Sequence, residues 1–382
     1  MTQAIRCVLM RGGTSKGVFL RAEDLPAAED DRRRTILSIF GSPDRRQIDG
    51  LGGADPLTSK VAIIRPAAQA GGPDGDIVYT FGQVEIDRPA IDYASPCGNI
   101  ISAVGPYGIL ENLVAAVEPV TRVRVFNTNL KRIITLEVPV ADGAPVEEGD
   151  CVIPGVPGSG AKILIDMSQT AGAASGALLP TGNVKDLFNL GGGDRIEVSL
   201  VDIANPHVFV RAKDLGLAGT ETAARLDADN ALRERLERIR GMAAFRFGLV
   251  RDPARAREES RVTPMVGIVS PPAAYGDPTR GVAVAASAVD LVARLIFLER
   301  THANYAATSI ACTGVAAHLR GGIVHEMVPP AARERGVIRI GHPAGVFETE
   351  ARVAFTSGNP VVERATLSRT ARRLLEGRVF IR

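Results

Sequence analysis

Short apolar runs, rich in Val and Ile and cut by Gly, Pro and Asp, fill most of the chain. In the first half they fall at 5–10 (IRCVLM), 16–20 (KGVFL), 60–66 (KVAIIRP), 76–87 (DIVYTFGQVEID), 121–128 (TRVRVFNT), 132–140 (RIITLEVPV) and 161–167 (AKILIDM). β-Branched side chains bounded by turn formers predict strands. Helical patterns are fewer. The stretch 98–117 (GNIISAVGPYGILENLVAAV) is apolar almost all round, which predicts a buried helix that Gly105-Pro106 bends or splits. Residues 220–244 show a polar face and predict one outer helix, and 278–300 (PTRGVAVAASAVDLVARLIFLER) reads as a largely apolar core helix.

The pattern then runs a second time. Residues 195–215 restart the strand series, and 307–324 (ATSIACTGVAAHLRGGIV) resembles 93–110 (YASPCGNIISAVGPYGIL): a cysteine, a glycine within two residues, and a helix of small apolar side chains. The expected fold class is α+β, with two pseudo-symmetric halves that each wrap a sheet on one buried helix. The boundary is placed in 178–195 (LLPTGNVKDLFNLGGGDR), giving halves 1–184 and 185–365, with 366–382 returning to the first.

Composition narrows the function. The 382 residues carry a net charge of +2, and the 45 basic residues are scattered without a stripe of interleaved aromatics, so no nucleic-acid partner is expected. The longest apolar run contains Asp290 and Arg294, so no membrane span is expected either. The N-terminus lacks a charged-then-apolar leader pattern, and a cytoplasmic protein is expected. Cys7, Cys97, Cys151 and Cys312 are widely spaced, which argues against a disulfide framework and a structural zinc site. Of the basic residues 39 are Arg and six are Lys. A lysine that persists against such a bias is a candidate for a task Arg cannot perform, such as giving up its proton. Lys16 and Lys60 stand out because both sit among Gly, Ser and Thr.

Around Lys16, GGTSKG suggests a phosphate loop and Gly13-Thr14-Ser15-Lys16-Gly17 a nucleophile elbow, but both motifs need a helix next and GVFL predicts a strand. A Gly-rich turn whose backbone N–H groups, hydroxyls and Lys16 hold a carboxylate fits better. Lys60 ends a polar loop and enters a buried strand, where a snorkelling strand-edge lysine remains the plain alternative. Cys97, between Pro96 and Gly98-Asn99, reads either as a small buried hydrophobe or as a thiol at a helix N-terminus, where N–H groups and dipole favour anions.

Taken together, MRGGTSKG (10–17), GLGGADPLTSKVAI (50–63), FGQVEID (81–87), CGN (97–99), LLPTGN (178–183) and GHPAG (341–345) resemble the PrpF-type isomerases over nearly the whole chain. That family includes 4-oxalomesaconate tautomerase, 2-methylaconitate isomerase and 3-methylitaconate isomerase. The resemblance implies the diaminopimelate epimerase-like fold, with the site in the cleft between halves. It implies proton transfer by Lys60 and Cys97 without metal, pyridoxal phosphate or nicotinamide. It further implies substrate contacts from Arg11, Thr14, Ser15, Lys16, Gly98, Asn99, Ser309, Cys312, Thr313, His342 and Gly345.

The chemistry asks for such groups. Moving a proton along an allylic carboxylic acid needs a shielded base, and fixed donors where charge builds on the carboxylates. The expected activity is therefore a cofactor-independent isomerisation or keto–enol tautomerisation of an unsaturated tricarboxylate, with 4-oxalomesaconate first and 2-methylaconitate or 3-methylitaconate second. The expected partner is that small molecule, and a homodimer is compatible. The rival readings are an amino-acid racemase and a non-enzymatic accessory protein.

Overall fold

The computed structural model describes residues 3–67, 74–93, 96–277 and 281–381. Its chain separates into two compact units, Met1–Asp166 with Ser368–Arg382, and Met167–Leu367.

The first unit contains β1 (Gln3–Gly12), β2 (Ser15–Arg21), α1 (Glu29–Phe40), β3 (Lys60–Pro66), β4 (Ile77–Val84), β5 (Ile91–Asp92), α2 (Ile101–Leu110), β6 (Val120–Asn127), β7 (Arg132–Ala141), β8 (Ala144–Pro145) and β9 (Ile163–Asp166). The closing strand, β21 (Ala371–Ile381), pairs with β1 along its whole length. Side by side the main strands run β21-β1-β2-β3-β4-β6-β7-β9, with β2–β3 and β4–β6 parallel and the other pairs antiparallel. Helix α2 touches β21 and β1 at one end of that order and β6, β7 and β9 at the other, so the sheet curls round it. Every residue from Ile101 to Ile109 is buried, which is why the segment is apolar on all sides. Gly105 and Gly108 let the strands close in: a Cβ would stand 2.7 Å from Val138 Cγ2 at the first and 2.3 Å from Ile77 Cδ1 at the second. On another face, Ile36 and Phe40 of α1 join Val18, Leu20 and Val61 in one apolar cluster.

The second unit holds β10 (Asp186–Gly191), β11 (Asp194–Ile203), β12 (Asn205–Arg211), α3 (Ala223–Ala228), α4 (Asn230–Arg246), α5 (Ala256–Glu259), β13 (Met265–Ser270), β14 (Tyr275–Asp277), β15 (Val282–Val284), β16 (Leu291–Phe297), β17 (Arg300–Thr301), α6 (Ala307–His318), α7 (Ile323–Met327), α8 (Pro330–Arg335), β18 (Val337–His342) and β19 (Gly345–Thr356), and most of β20 (Asn359–Arg369). Its order is β10-β11-β12-β13-β16-β18-β19-β20, with β12–β13 and β16–β18 parallel and the rest antiparallel. The succession of pairing senses matches that of the first unit strand for strand, and α6, like α2, follows the fifth strand of its series. Buried from Ala307 to Ala317, it touches β11, β12, β18 and β19.

The sequence-based helices need correction. Helix α2 is ten residues long and runs through Pro106 without a break, ending at Leu110 rather than near 117. The outer helix is two helices, because Asp229 turns the chain and its side chain accepts from Leu232 N to cap α4. The described part of 278–300 is not a helix. Val282–Val284 and Leu291–Phe297 are strands, and the second is zipped antiparallel to β13 and parallel to β18. A fully buried strand shows no alternation, so its apolar run imitates a buried helix. Residues 167–184, assigned by sequence to the first half, are tied to the second unit by Gly172 N to Asp202 O (2.8 Å), Ala204 N to Thr170 Oγ1 (2.9 Å) and Ser175 N to Asp202 Oδ2 (2.6 Å). Among the described residues no helix is long and apolar enough to cross a membrane, and no three His, Cys, Asp or Glu side chains gather as a metal site requires.

Candidate active site

In the first unit, three local structures converge: the β1–β2 turn, the start of β3, and the first turn of α2. The turn closes with Gly12 opposite Ser15, and strand β2, not a helix, follows it. A Cβ on Gly12 would stand 2.6 Å from Asn99 O, and one on Gly13, where φ is +51°, would stand 2.4 Å from Asn99 Oδ1. Glycine at both places is what lets the turn lie on the helix start. Gly17 does the same for β3. It is the partner of Lys60 in the parallel register, and a Cβ there would stand 2.9 Å from Lys60 O and 3.0 Å from Ile100 Cδ1.

Lys60 is 7% exposed. Its Nζ donates to Gln83 Oε1 at 2.5 Å and lies 5.3 Å from the centre of the Phe81 ring. Gln83 Nε2 donates to Pro56 O (3.1 Å) and Ser59 O (3.0 Å), both acceptors, which fixes the amide with its oxygen toward Lys60. No carboxylate pairs with Lys60 among the described residues, so its charge is met only by a neutral amide and an aromatic face.

Cys97 is half-buried just before α2, and its Sγ accepts from Ile100 N at 3.5 Å. Gly98 and Asn99 form the turn that leads into the helix. Asn99 O accepts from Ser102 N (3.1 Å) and Ser102 Oγ (2.7 Å), while Asn99 Nδ2 donates to Thr14 Oγ1 (3.1 Å). Ser15 Oγ is buried and meets no hydrogen-bond partner among the described residues. An orphan hydroxyl beside a glycine turn is a donor ready for a ligand. Lys16 is half-buried, and its backbone N–H donates to Leu57 O (2.9 Å). Arg11 is committed internally: its Nη1 donates to Gly13 O (3.1 Å), Thr370 O (3.0 Å) and Thr370 Oγ1 (2.9 Å). Burial, with Arg372 nearby, holds its guanidinium below the ordinary value, Glu147 opposing.

The second-unit candidates are in two groups. On α6, Ser309 Oγ lies 2.7 Å from His207 Nε2, and His207 Nδ1 lies 2.8 Å from Asn205 O. A carbonyl only accepts, so Nδ1 carries the proton and Ser309 donates to Nε2. Burial pushes His207 down to about 4, the Asn205 carbonyl opposing, so the ring is neutral. Thr313 Oγ1 meets Tyr305 Oη at 2.8 Å. Cys312, expected among the substrate contacts, lies mid-helix with no exposed surface. Its thiol faces Val201 O at 3.9 Å, and burial with Asp202 nearby pushes it well above the ordinary thiol value. Here it is a core residue of the second unit. The other group is the β18–β19 turn, where Ala344 N donates to His342 Nδ1 (3.2 Å) and the His342 ring stacks on Phe347 (4.3 Å). Tyr275 Oη donates to His342 O (3.0 Å) and Gly345 O (2.5 Å).

Sequence reading missed Gln83, Tyr79 and Arg369. Tyr79, on β4, is fully buried, its Oη has no hydrogen-bond partner among the described residues, and Cys97 is within its electrostatic reach. Arg369 is 4% exposed, and its Nε donates to Asn99 Oδ1 at 3.0 Å.

In the first unit a strained glycine turn, a buried lysine paired with no carboxylate among the described residues and a thiol at a helix start stand together, an arrangement with the groups that proton transfer on a small carboxylic acid requires. The family described as PrpF protein matches residues 2–382, and the chain belongs to it. It is 48% identical to 3-methylitaconate isomerase of Eubacterium barkeri, covering 99% of this chain and 97% of the relative. It is 38% identical to 4-oxalomesaconate tautomerase of Pseudomonas putida (99% and 96%) and 36% identical to 2-methyl-aconitate isomerase of Shewanella oneidensis (99% and 96%). The crystal structure of a methylitaconate-delta-isomerase superposes with a TM-score of 0.92 at 47% identity, covering 100% of this chain and 96% of that one. A hydroxyproline epimerase from Agrobacterium vitis, at TM-score 0.52 and 12% identity (99% and 92% covered), shares the mixed α+β fold alone. The chain is an isomerase of this family.

Proposed function

We propose that this isomerase moves a proton across the allylic system of a small unsaturated polycarboxylate, with a methylitaconate-type diacid first among its substrates. Oxalomesaconate and methylaconitate rank behind it. The loop 50–63 by itself favoured oxalomesaconate, but identity over the full chain is 48% toward the methylitaconate enzyme and 38% toward the tautomerase. The racemase reading is weaker, because the thiol mid-way along α6 is sealed in the core.

The observation that carries the mechanism is Lys60: nearly buried, free of a carboxylate partner among the described residues, and packed with the start of α2 around Gly17. In its neutral form Lys60 takes the proton from the carbon that is both allylic and α to a carboxylate. The C–H electron pair moves into conjugation with that system, and the double bond shifts. The far carbon takes a proton from the Cys97 thiol and forms the new C–H bond. The proton held by Lys60 then returns to the Cys97 thiolate, so no electrons are gained or lost overall. Charge that builds on the carboxylate during this shift needs fixed donors. The Ser15 hydroxyl, the N–H groups of Gly98 and Asn99 and the Lys16 ammonium supply them. In the second unit, Ser309 ties α6 to β12 through His207, Thr313 is tied to Tyr305, and His342 and Gly345 shape the β18–β19 turn. The pairing senses that recur strand for strand support two pseudo-symmetric halves.

The test is kcat/KM for methylitaconate, methylaconitate, oxalomesaconate and proline, followed by proton NMR. The expected order is methylitaconate first by roughly tenfold or more, since a site built for one acid leaves donors unpaired with another. Faster turnover of proline than of any unsaturated acid would overturn the reading.

A further inference from the structure

We infer that Arg369 is a positioning residue of the proton-transfer site: its buried guanidinium holds Asn99 and thereby sets the turn that carries Cys97. This deepens the proposed function and rests on it.

Arg369 stands far along the chain from Lys60, Cys97 and the glycine turn, at the end of β20. Its Nε donates to Asn99 Oδ1 (3.0 Å) and its Nη1 to Ser368 O (2.8 Å). The bond to Oδ1 settles which way the Asn99 amide points, and the same amide's nitrogen then reaches Thr14 Oγ1 at 3.1 Å. The Asn99 backbone is fixed as well, through two bonds from Ser102. One guanidinium therefore holds the residue that joins the glycine turn to the helix start, two positions after Cys97. The next residue extends the same join, since Thr370 O accepts from Gly13 N (2.9 Å) and from Arg11 Nη1. Gly13 leaves the room required, because a Cβ there would stand 2.9 Å from Arg369 Cδ.

The charge also matters. The Cys151 and Cys97 thiols both lie within electrostatic reach of the guanidinium. Burying a guanidinium is unfavourable unless its partners compensate, so apolar side chains would staple strand to helix more readily. A planar fork can hold an amide oxygen while keeping its charge beside a thiol, which a lysine cannot match in geometry.

The experiment measures alkylation of Cys97 by anionic iodoacetate and neutral iodoacetamide, read by peptide mass spectrometry, together with turnover of methylitaconate. The ratio of the two alkylation rates reports local positive charge and cancels changes in access. For Arg369→Ala the expected ratio falls about threefold or more, as a lost local charge requires. Turnover falls at least about tenfold through misplacement, and added guanidinium ion restores part of both. For Arg369→Lys the ratio stays within about twofold of wild type because the charge remains, while turnover still falls about tenfold because the fork is gone. A folded Arg369→Ala protein with the wild-type ratio, or an Arg369→Lys protein with wild-type turnover, overturns the inference. If the alanine variant does not fold, the lysine variant decides by its turnover. A wild-type protein inert toward every candidate acid would refute the proposed function instead, and the alkylation ratio would still judge Arg369.

Discussion

Replacing Gly13 by Ala puts one methyl group into the tightest point of the candidate site. Gly13 has φ of +51°, and an alanine there costs about 1 kcal/mol from conformation alone. Its Cβ would sit 2.4 Å from Asn99 Oδ1 and 2.9 Å from Arg369 Cδ, closer than real Cβ atoms approach their neighbours. Asn99 Oδ1 must move, and with it goes the bond from Arg369 Nε. A buried hydrogen bond to a charged group is worth about 1.5–3 kcal/mol. Together the two effects amount to about 2.5–4 kcal/mol, or a melting temperature lower by about 10 °C for a unit of this size. Gly143→Ala is the control: φ there is +72° but a Cβ would have nothing within 4 Å, so only the conformational cost applies. The assay is thermal unfolding of both variants beside wild type, with turnover of the preferred acid. Turnover of Gly13→Ala should fall roughly 10- to 100-fold, because the turn carrying Cys97 shifts with Asn99. If Gly13→Ala melts no lower than Gly143→Ala and turns over normally, the clamp between turn, helix and guanidinium is not rigid and the account of the site fails.

Other expectations follow from the same geometry. Cys97→Ser should lose most turnover yet bind the acid with near-normal affinity, because a hydroxyl keeps the hydrogen bond but is a poor proton donor at neutral pH. Unchanged kcat in steady-state kinetics would remove the thiol from the proton path. Gln83→Leu takes away the acceptor of Lys60 Nζ and the Gln83 donor to Pro56 O, while Ser59 O keeps its bond from Val84 N, so unfolding free energy should drop by about 1–3 kcal/mol in a denaturant titration. No drop would mean that water replaces the amide. His207, held down to about 4 by burial, refuses a proton that the unfolded chain accepts below its ordinary value of about 6.5. Stability should therefore fall as pH drops through that window, by about 2–3 kcal/mol at pH 4.5. Unfolding of His207→Gln at pH 7.5 and 4.5 should lack that component, and equal losses in both proteins would contradict it.

The strand at 132–140 is legible because one of its faces is buried and the other is not, and the strand at 60–66, largely buried, because turn formers bound its β-branched run. The run 278–300 imitates a helix because β16 within it is buried on both faces and its pattern carries no period. The Asp229 break in the outer helix was available in the sequence as a helix-capping residue, but the amphipathic pattern on either side masked it. Among the site residues, Lys60 stood out because lysine is rare in this chain. Arg369 was hidden for the opposite reason, as one arginine among 39. Gln83 looked like an ordinary polar position on a strand, and only the fixed orientation of its amide, set by two carbonyls, reveals it as the acceptor for Lys60. Cys312 sits in a motif like that of Cys97, yet one lies before its helix and the other in mid-helix, a difference of register that local sequence similarity does not encode.

The central claim, that Lys60 takes the substrate proton, is tested most directly by deuterium incorporation. Wild-type protein and Lys60→Met are incubated in D2O with methylitaconate, and proton NMR follows the signals of both allylic positions. The account predicts wash-in and isomerisation by wild type, with both slowed by roughly 10²- to 10⁴-fold in a folded Lys60→Met protein. Deuterium entering at the wild-type rate in that variant would contradict it.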